Sequence, residues 1–158
     1  MNLSEASISF ETPIGFFTVE STGEKITRLI MCHRAPDHGS SPVLKEAKKQ
    51  ITAYFAGKLT KFDLPVQLSG TEFQKAVWKQ IAKTGFGKTI SYGEIAQKIG
   101  NPQAARAIGG AVGMNPVPLI VGCHRVLGSG GRITGYSGGN GLATKWQLLE
   151  LEGIEAKE

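Results

Sequence analysis

The chain has 158 residues, which is enough for one domain with a substantial core or for two small domains in contact. Hydrophobic residues make up 41% of the sequence, and this share argues against a disordered protein. No apolar run approaches the roughly 20 residues that a membrane span needs, and no basic-apolar-small signal pattern opens the chain. We therefore expect a cytoplasmic protein, or a nuclear one in a eukaryote, with no membrane association.

The basic residues are concentrated in one part of the chain. The formal net charge is +5, but the stretch from Phe73 to Lys145 has nine basic residues and one acidic residue, Glu94. The nine are Lys75, Lys79, Lys83, Lys88, Lys98, Arg106, Arg125, Arg132 and Lys145. Such a one-sided block favours a polyanionic partner, although charge alone leaves open a solvated face without a ligand.

The first part of the chain has the pattern of short strands followed by a helix. The predicted strands are Ala6–Phe10, Phe16–Glu20 and Ile26–Cys32, and turn residues separate them. The helix should begin at Pro42, a residue favoured at the first helical position, and should stop at Gly57. The polar, irregular residues 58–70 are typical of a linker. The sequence therefore predicts two domains, at 1–70 and 71–158.

The second domain is predicted to be mainly helical. Three segments match the capping box that begins a helix, namely Thr71–Gln74, Ser91–Glu94 and Thr144–Gln147. Asn101 is expected to cap a further helix, with Pro102 at its first position. The helices on either side of this point predict a helix-turn-helix. Such a pair is more often plain packing than a DNA-binding unit, but the basic block favours DNA binding.

The segment Cys123-His124-Arg125-Val126 is the part of the sequence that carries chemistry. Cysteine reacts as the thiolate, and a neighbouring base or cation raises the ionised fraction. Adjacent side chains on an extended segment point apart, so His124 reaches the sulfur only if the backbone turns there. Glu152 is the best-placed carboxylate to orient the histidine. On residue types alone, a buried structural cysteine remains an open alternative.

The remaining cysteine does not indicate a metal site or a disulfide. Two cysteines in an intracellular protein are expected to be free thiols. Cys32, His33 and His38 together fall short of the four ligands of a structural zinc site. We therefore expect no metal.

Residues 90–153 resemble the O6-alkylguanine-DNA alkyltransferases almost continuously. The matching segments are Ile90-Ser91-Tyr92, Gly100-Asn101-Pro102, Ala104 to Ala111, Asn115-Pro116-Val117-Pro118, Cys123 to Val126, Gly135 to Gly139 and Glu152-Gly153. Phe73 to Trp78 extends the match, and the N-terminal part is similar only loosely. The resemblance implies an α/β protein with a small, variable α+β domain, ribonuclease-H-like, at 1–70. It implies a mainly helical DNA-binding and alkyl-acceptor domain with a helix-turn-helix at 71–158.

The resemblance also implies a reaction and its catalytic residues. Cys123 would accept an alkyl group from O6-alkylguanine in DNA, and His124 would take its proton through a bridging water. Glu152 would orient that histidine, and Asn115 would tie the helix-turn-helix to the active site. Tyr92 would help to turn the nucleotide out of the duplex and would protonate guanine N3 as the base leaves. Each molecule would act once, without a metal or an organic cofactor.

The same resemblance implies how the substrate is held. Tyr136 and Ser137 would form a lid and donate to O6, and Gly138 would complete the pocket. The main-chain carbonyls of Cys123 and Val126 would accept from the exocyclic amine of the base.

DNA binding is expected mainly from the second helix of the helix-turn-helix. Arg106 would fill the gap that the flipped base leaves in the stack. The other implied DNA contacts are Ser91, Ala105, Ala107, Gly109 and Arg125. The expected partner is double-stranded DNA containing O6-alkylguanine, and the protein is expected to be a monomer. O4-alkylthymine stays open as a second substrate.

One position departs from the family pattern, because the family has proline before the cysteine and this chain has Gly122. For this reason a protein that recognises alkylguanine without reacting stays open as an alternative. A helix-turn-helix transcription factor would leave the Cys-His-Arg-Val segment unexplained, and a Cys-His hydrolase would have no need of Asn115 or Arg106.

Overall fold

A three-stranded antiparallel sheet forms the start of the structure, a computed structural model that describes residues 5–158. The strands are β1 (Glu5–Thr12), β2 (Gly15–Thr22) and β3 (Lys25–Met31), in the order β1-β2-β3. All three predicted strands are confirmed, with β3 ending one residue early. At Cys32 the backbone has a φ of 54°, which no strand residue adopts, so the strand stops at Met31. The first four residues of the predicted domain at 1–70 lie outside the described part.

The predicted first helix is confirmed as α1 (Pro42–Phe55). Leu44, Ala47 and Ile51 lie on one face at helical spacing and are fully buried in a cluster with the sheet. Gly57 ends the helix with a φ of 75°, a conformation that glycine adopts without a steric penalty.

The segment predicted as a linker is attached to the edge of the sheet. Val66 forms a parallel bridge with Ile26. The Ile26 N–H donates to Pro65 O at 2.9 Å, and the Gln67 N–H donates to Ile26 O at 2.8 Å. The chain therefore extends the β3 edge before it enters the helical half.

The helices of the second half are α2 (Glu72–Ala82), α3 (Tyr92–Lys98), α4 (Ala105–Gly113) and α5 (Leu142–Leu151). The capping boxes at Thr71 and Ser91 are confirmed, with the side chain and backbone bonds present in both directions. The one predicted at Thr144 is wrong. Gly141 precedes α5 with a φ of 71°, and Thr144 Oγ1 accepts from the Asn140 N–H within the helix's first turn.

The predicted cap of α4 is also wrong. The Asn101 N–H donates to Ala96 O, and the Gly100 N–H donates to Gln97 O. These two bonds form the Schellman motif that ends α3, so Asn101 closes the preceding helix and α4 starts only at Ala105. The helix-turn-helix itself is formed by α3 and α4.

Two buried clusters hold the fold together, and the segment around residues 117–123 contributes side chains to both. The first lies between the sheet and α1, and Val117, Leu119 and Leu148 from the second half belong to it. The second lies between α2, α3 and α4, and Cys123 belongs to it. A short parallel pair, β4 (Ile90–Ser91) with β5 (Val126–Leu127), joins the start of α3 to the segment after the cysteine. Within residues 5–158, no helix is long and apolar enough to cross a membrane.

Candidate active site

The backbone turns sharply at the cysteine, as the sequence requires. Gly122 has φ −72° and ψ 63°, and the Cys123 N–H donates to Val121 O at 2.7 Å, which together make an inverse γ-turn. Cys123–Arg125 then form a short 3-10 helix. This turn lets the cysteine, the histidine and the arginine point to three different neighbours.

Glu152 is the centre of a buried hydrogen-bond network. Its Oε2 accepts from His124 Nε2 at 2.6 Å, from the Tyr54 hydroxyl at 2.6 Å and from Arg125 Nη2 at 3.0 Å. Its Oε1 accepts from Arg125 Nε at 2.8 Å and from the Gly87 N–H at 3.1 Å. Burial by itself would raise the pKa of Glu152, but the hydrogen bonds from His124 and Arg125 outweigh it and hold that pKa well below its usual range.

His124 is fully buried and is oriented by this carboxylate. Nε2 faces Glu152, whereas Nδ1 has no hydrogen-bond partner in the part of the chain that the structure describes. Burial lowers the pKa of His124; Glu152 opposes this shift, and the charges of Arg125 and Lys145 add to it. The imidazole is therefore neutral at neutral pH, with the proton assigned to Nε2 by its bond to Glu152 and the lone pair on Nδ1.

The thiol of Cys123 is buried, with 5% of the residue exposed. Burial raises the pKa of the Cys123 thiol, whereas hydrogen bonds from Asn115 and Tyr136 and the charge of Lys145 lower it. The sulfur lies 3.9 Å from the Tyr136 hydroxyl. Asn115 Nδ2 donates to Val121 O at 2.8 Å, just before the reactive turn.

Lys145 is a site residue that the sequence pattern does not reveal, because a buried lysine and an exposed one contribute equally to the basic block. It is 1% exposed, and its Nζ donates to Val126 O at 2.8 Å. Burial lowers the pKa of Lys145 to about 8, and the negative charge that Cys123 acquires opposes this shift. Lys145, Leu149 and Glu152 recur at i, i+4 and i+7, a spacing that indicates one helix face.

A cavity of 310 Å³ opens onto the thiol from the helix-turn-helix side. It is lined by Tyr92, Gly109, Val112, Gly113, Cys123, Gly135, Tyr136 and Ser137. The Tyr92 hydroxyl shares a hydrogen bond with Thr134 Oγ1 at 2.7 Å, and the Ser137 hydroxyl donates to Gly113 O at 2.9 Å. A second cavity of 440 Å³ reaches Cys123 from the β3 side, and Gly138 and Asn115 line it.

The main-chain carbonyls of Cys123 and Val126, which are expected to accept from the exocyclic amine of guanine, already accept one hydrogen bond each. The Cys123 carbonyl accepts from the Val126 N–H, and the Val126 carbonyl accepts from Lys145 Nζ. Each carbonyl oxygen has a second lone pair, so both remain capable of accepting from an exocyclic amine. At Gly138, an added Cβ would lie 2.9 Å from the Tyr136 ring, so a side chain there would displace the tyrosine.

The residues expected at the DNA surface divide into two groups. Ala105, Arg106 and Ala107 are exposed on the first turn of α4. Gly109 is half-buried beside the Tyr92 ring, and Ser91 is half-buried with its Oγ accepting from the Glu94 N–H. These positions lie on or beside the helix-turn-helix.

The expectation of a DNA contact at Arg125 is corrected by the structure. Its side chain is 9% exposed, and its guanidinium is bound to Glu152 and, through Nη1, to Thr84 O at 2.8 Å. A buried carboxylate without a partner is costly, so the arginine belongs inside the protein. Of the nine cations in the basic block, Arg125 and Lys145 are buried, and the other seven are exposed.

Two family models match the chain. The 6-O-methylguanine DNA methyltransferase DNA-binding domain matches residues 72–154. The ribonuclease-like domain of the same family matches residues 7–68.

Two relatives of the chain carry the same name. A methylated-DNA–protein-cysteine methyltransferase of Mycobacterium bovis is 46% identical over 153 residues, with 91% of this chain and 90% of the relative covered. The constitutive enzyme of that name from Bacillus subtilis is 37% identical, with 94% of this chain and 95% of the relative covered.

Solved structures agree with these matches. The O6-methylguanine methyltransferase of Mycobacterium tuberculosis has a TM-score of 0.83 at 42% identity, with 94% of this chain and 93% of that chain covered. A structure described as that organism's OGT in complex with DNA has a TM-score of 0.83 at 43% identity, covering 93% of this chain and 92% of that chain. From both halves of its sequence, its fold and its cysteine-centred site, the chain belongs to the 6-O-methylguanine DNA methyltransferase family.

Proposed function

We propose that the chain repairs alkylated DNA by direct reversal, as a methylated-DNA–protein-cysteine methyltransferase that moves the alkyl group from guanine O6 to Cys123 Sγ. One observation supports this proposal most strongly. A cavity reaches the Cys123 thiol, and the adjacent His124 is held by Glu152. Cys123 lines the 310 Å³ cavity, and next to it in the chain is a histidine whose Nε2 is fixed by a buried carboxylate. Residues 1–70 and 71–158 are its proposed domains.

In the reaction, the sulfur attacks the alkyl carbon, a C–S bond forms and the bond from that carbon to O6 breaks. The thiol proton passes to His124 Nδ1 through a bridging water, and the Tyr92 hydroxyl gives a proton to guanine N3. Nδ1 suits this step because it holds the lone pair of a neutral imidazole. General-base assistance of this kind typically contributes about 10²–10⁴-fold.

Thiol ionisation is balanced in this site. Burial favours the neutral thiol, and the Lys145 charge together with the hydrogen bonds of Asn115 and Tyr136 favours the thiolate. We infer that the protein holds the cysteine neutral at rest and ionises it as the proton moves to His124. Nothing in the site regenerates a thioether, so each molecule reacts once.

The proposed substrate is double-stranded DNA, because the exposed cations favour a polyanion. A guanine O6 inside a duplex is out of reach of a buried thiol, so the base must be flipped at a cost of about a few kcal/mol. Arg106 is the proposed residue that fills the gap in the stack, and its neighbours Ala105 and Ala107 let α4 approach the DNA closely. Ser91 and Gly109 would contact the backbone nearby, and Tyr136, Ser137 and Gly138 would enclose the base. A monomer suffices for this arrangement.

Intact-protein mass spectrometry after mixing with an O6-methylguanine duplex tests the proposal. We expect the mass of one methyl group to be added to the wild-type chain and to Cys32→Ser, and none to Cys123→Ser. Binding of the duplex without any gain of mass would instead support the alternative, a protein that recognises alkylguanine and does not react.

A further inference from the structure

Glu152 is held from both halves of the chain. Its Oε2 accepts from His124 at 2.6 Å and, at the same distance, from the hydroxyl of Tyr54. Tyr54 lies in α1, 98 positions before Glu152. None of the groups assigned to the reaction so far comes from the N-terminal domain. Through Tyr54, this domain contributes a donor to the carboxylate oxygen that orients His124.

The position of this hydroxyl is fixed by packing. Tyr54 is 1% exposed, and its ring lies 5.2 Å from Phe55, 5.3 Å from Phe62 and 6.1 Å from Phe86 between centroids. Burial raises the pKa of Tyr54, and the hydrogen bond and charge of Glu152 raise it further, so the hydroxyl stays protonated and donates. A phenylalanine would fill the same apolar space, and within residues 5–158 the hydroxyl bonds only to Glu152.

We propose that Tyr54 is a positioning residue of the alkyl transfer, which holds Glu152 Oε2 in place and sets how strongly that oxygen accepts from His124. The proposal rests on the proposed function of Cys123. It makes the N-terminal domain a part of the relay that activates the thiol.

The physical consequence is a change in the basicity of His124. Glu152 shares its negative charge among the donors Tyr54, Gly87, Arg125 and His124. When one donor is lost, more of that charge acts on the histidine and stabilises the imidazolium, so the pKa of His124 rises. The opposing charges of Arg125 and Lys145, and the thiol of Cys123, stay in place. Because the base must be neutral to take a proton, the acid limb of the rate profile should move to higher pH.

The test compares Tyr54→Phe with Phe62→Leu, which removes packing around the tyrosine ring and keeps the hydroxyl. One readout is an NMR titration of the His124 imidazole. The other is the rate of Cys123 alkylation by free benzylguanine at several pH values, since this base needs no flipping. For Tyr54→Phe we expect the His124 titration and the acid limb of the rate profile to move to higher pH by the same amount, with the rate above both titrations unchanged. For Phe62→Leu we expect a lower Tm, with the titration and the profile unchanged.

The proposal is overturned if Tyr54→Phe has the wild-type titration and profile, or if Phe62→Leu shifts both as much. Alkyl transfer to Cys123 and the role of Tyr54 can be refuted separately. A wild-type chain that is not alkylated refutes the proposed function, and the titration, which requires no reaction, still decides whether Tyr54 acts on His124.

Discussion

Arg125 and Glu152 form a two-bond ion pair inside the protein, with Nε 2.8 Å from Oε1 and Nη2 3.0 Å from Oε2. A planar guanidinium can bind both oxygens of a carboxylate at once, which favours such two-bond pairs. The same guanidinium reaches Thr84 O through Nη1. The pair therefore fixes the carboxylate that orients His124, and it links the reactive segment to the end of α2.

Arg125→Met should destabilise the protein strongly. The substitution removes two of the bonds to Glu152 and leaves a buried carboxylate without its cation, which typically costs about 3–5 kcal/mol. Urea denaturation measures the free energy of unfolding. The control is Arg132→Met, which removes an exposed arginine from the same basic block and should change stability by less than about 0.5 kcal/mol. Similar small losses in both variants would show that the ion pair does not support the fold.

Lys145→Met should raise the pKa of the Cys123 thiol. Methionine has a similar length and no charge. The substitution therefore removes one of the groups that oppose the effect of burial on the pKa of the thiol. A higher pKa lowers the thiolate fraction, about tenfold for each unit, so we expect slower iodoacetamide labelling than in the wild type at pH 7. Lys79→Met, at an exposed position on α2, is the matched control. An unchanged thiol titration in Lys145→Met would show that the Lys145 charge does not lower the pKa of the Cys123 thiol.

Arg106→Ala should slow repair of duplex DNA by about tenfold or more, because the gap left by the flipped base is no longer filled. The reaction with free benzylguanine should stay close to wild type, since that base is not stacked. Lys98→Ala, which removes an exposed cation from α3, controls for the loss of one positive charge. Equal losses on duplex and free base would show that Arg106 does not fill the stack.

Gly122→Pro should stabilise the fold by a few tenths to about 1 kcal/mol and raise the transfer rate modestly. The φ of −72° suits proline, and the Gly122 N–H donates no hydrogen bond to any residue from 5 to 158. An added Cβ would lie 2.9 Å from Arg125 Nη1, closer than side chains normally approach, so the guanidinium, which is bonded to Thr84 O, would have to shift.

Gly122→Ala separates these two effects, since it has the same Cβ contact without the ring. We expect its Tm to lie below that of the proline variant. If the proline variant melts lower and reacts more slowly than wild type, then the Arg125 contact outweighs the gain from the restricted backbone.

The local features of the fold could be read from the sequence, because short-range patterns determine them. The strands, α1 and the capping boxes at Thr71 and Ser91 depend on residues within a few positions of one another. The two helix starts that were wrong, at Asn101 and Thr144, failed because these residues have competing partners. The Asn101 N–H completes the end of α3. Thr144 lies in the first turn of α5, and its Oγ1 accepts from the Asn140 N–H just before that helix.

The candidate site could be predicted only in part. The segment Cys123 to Val126 and Glu152 stand out by residue type and by resemblance to the family. Charge counting placed Arg125 and Lys145 at the surface, since composition does not distinguish an exposed cation from a buried one. Tyr54 gave no signal, because its partner lies far along the chain and its place among apolar residues suggests core packing.

Alkyl transfer from guanine O6 to Cys123 is tested by its stoichiometry. The protein is mixed with an excess of O6-methylguanine duplex and then digested, and the methylated peptide and the guanine restored in the DNA are both quantified. We expect equal amounts, with S-methylcysteine at Cys123 and no second turnover when fresh duplex is added. Methylation at Cys32, restored guanine in excess of protein, or tight binding with neither product would contradict it.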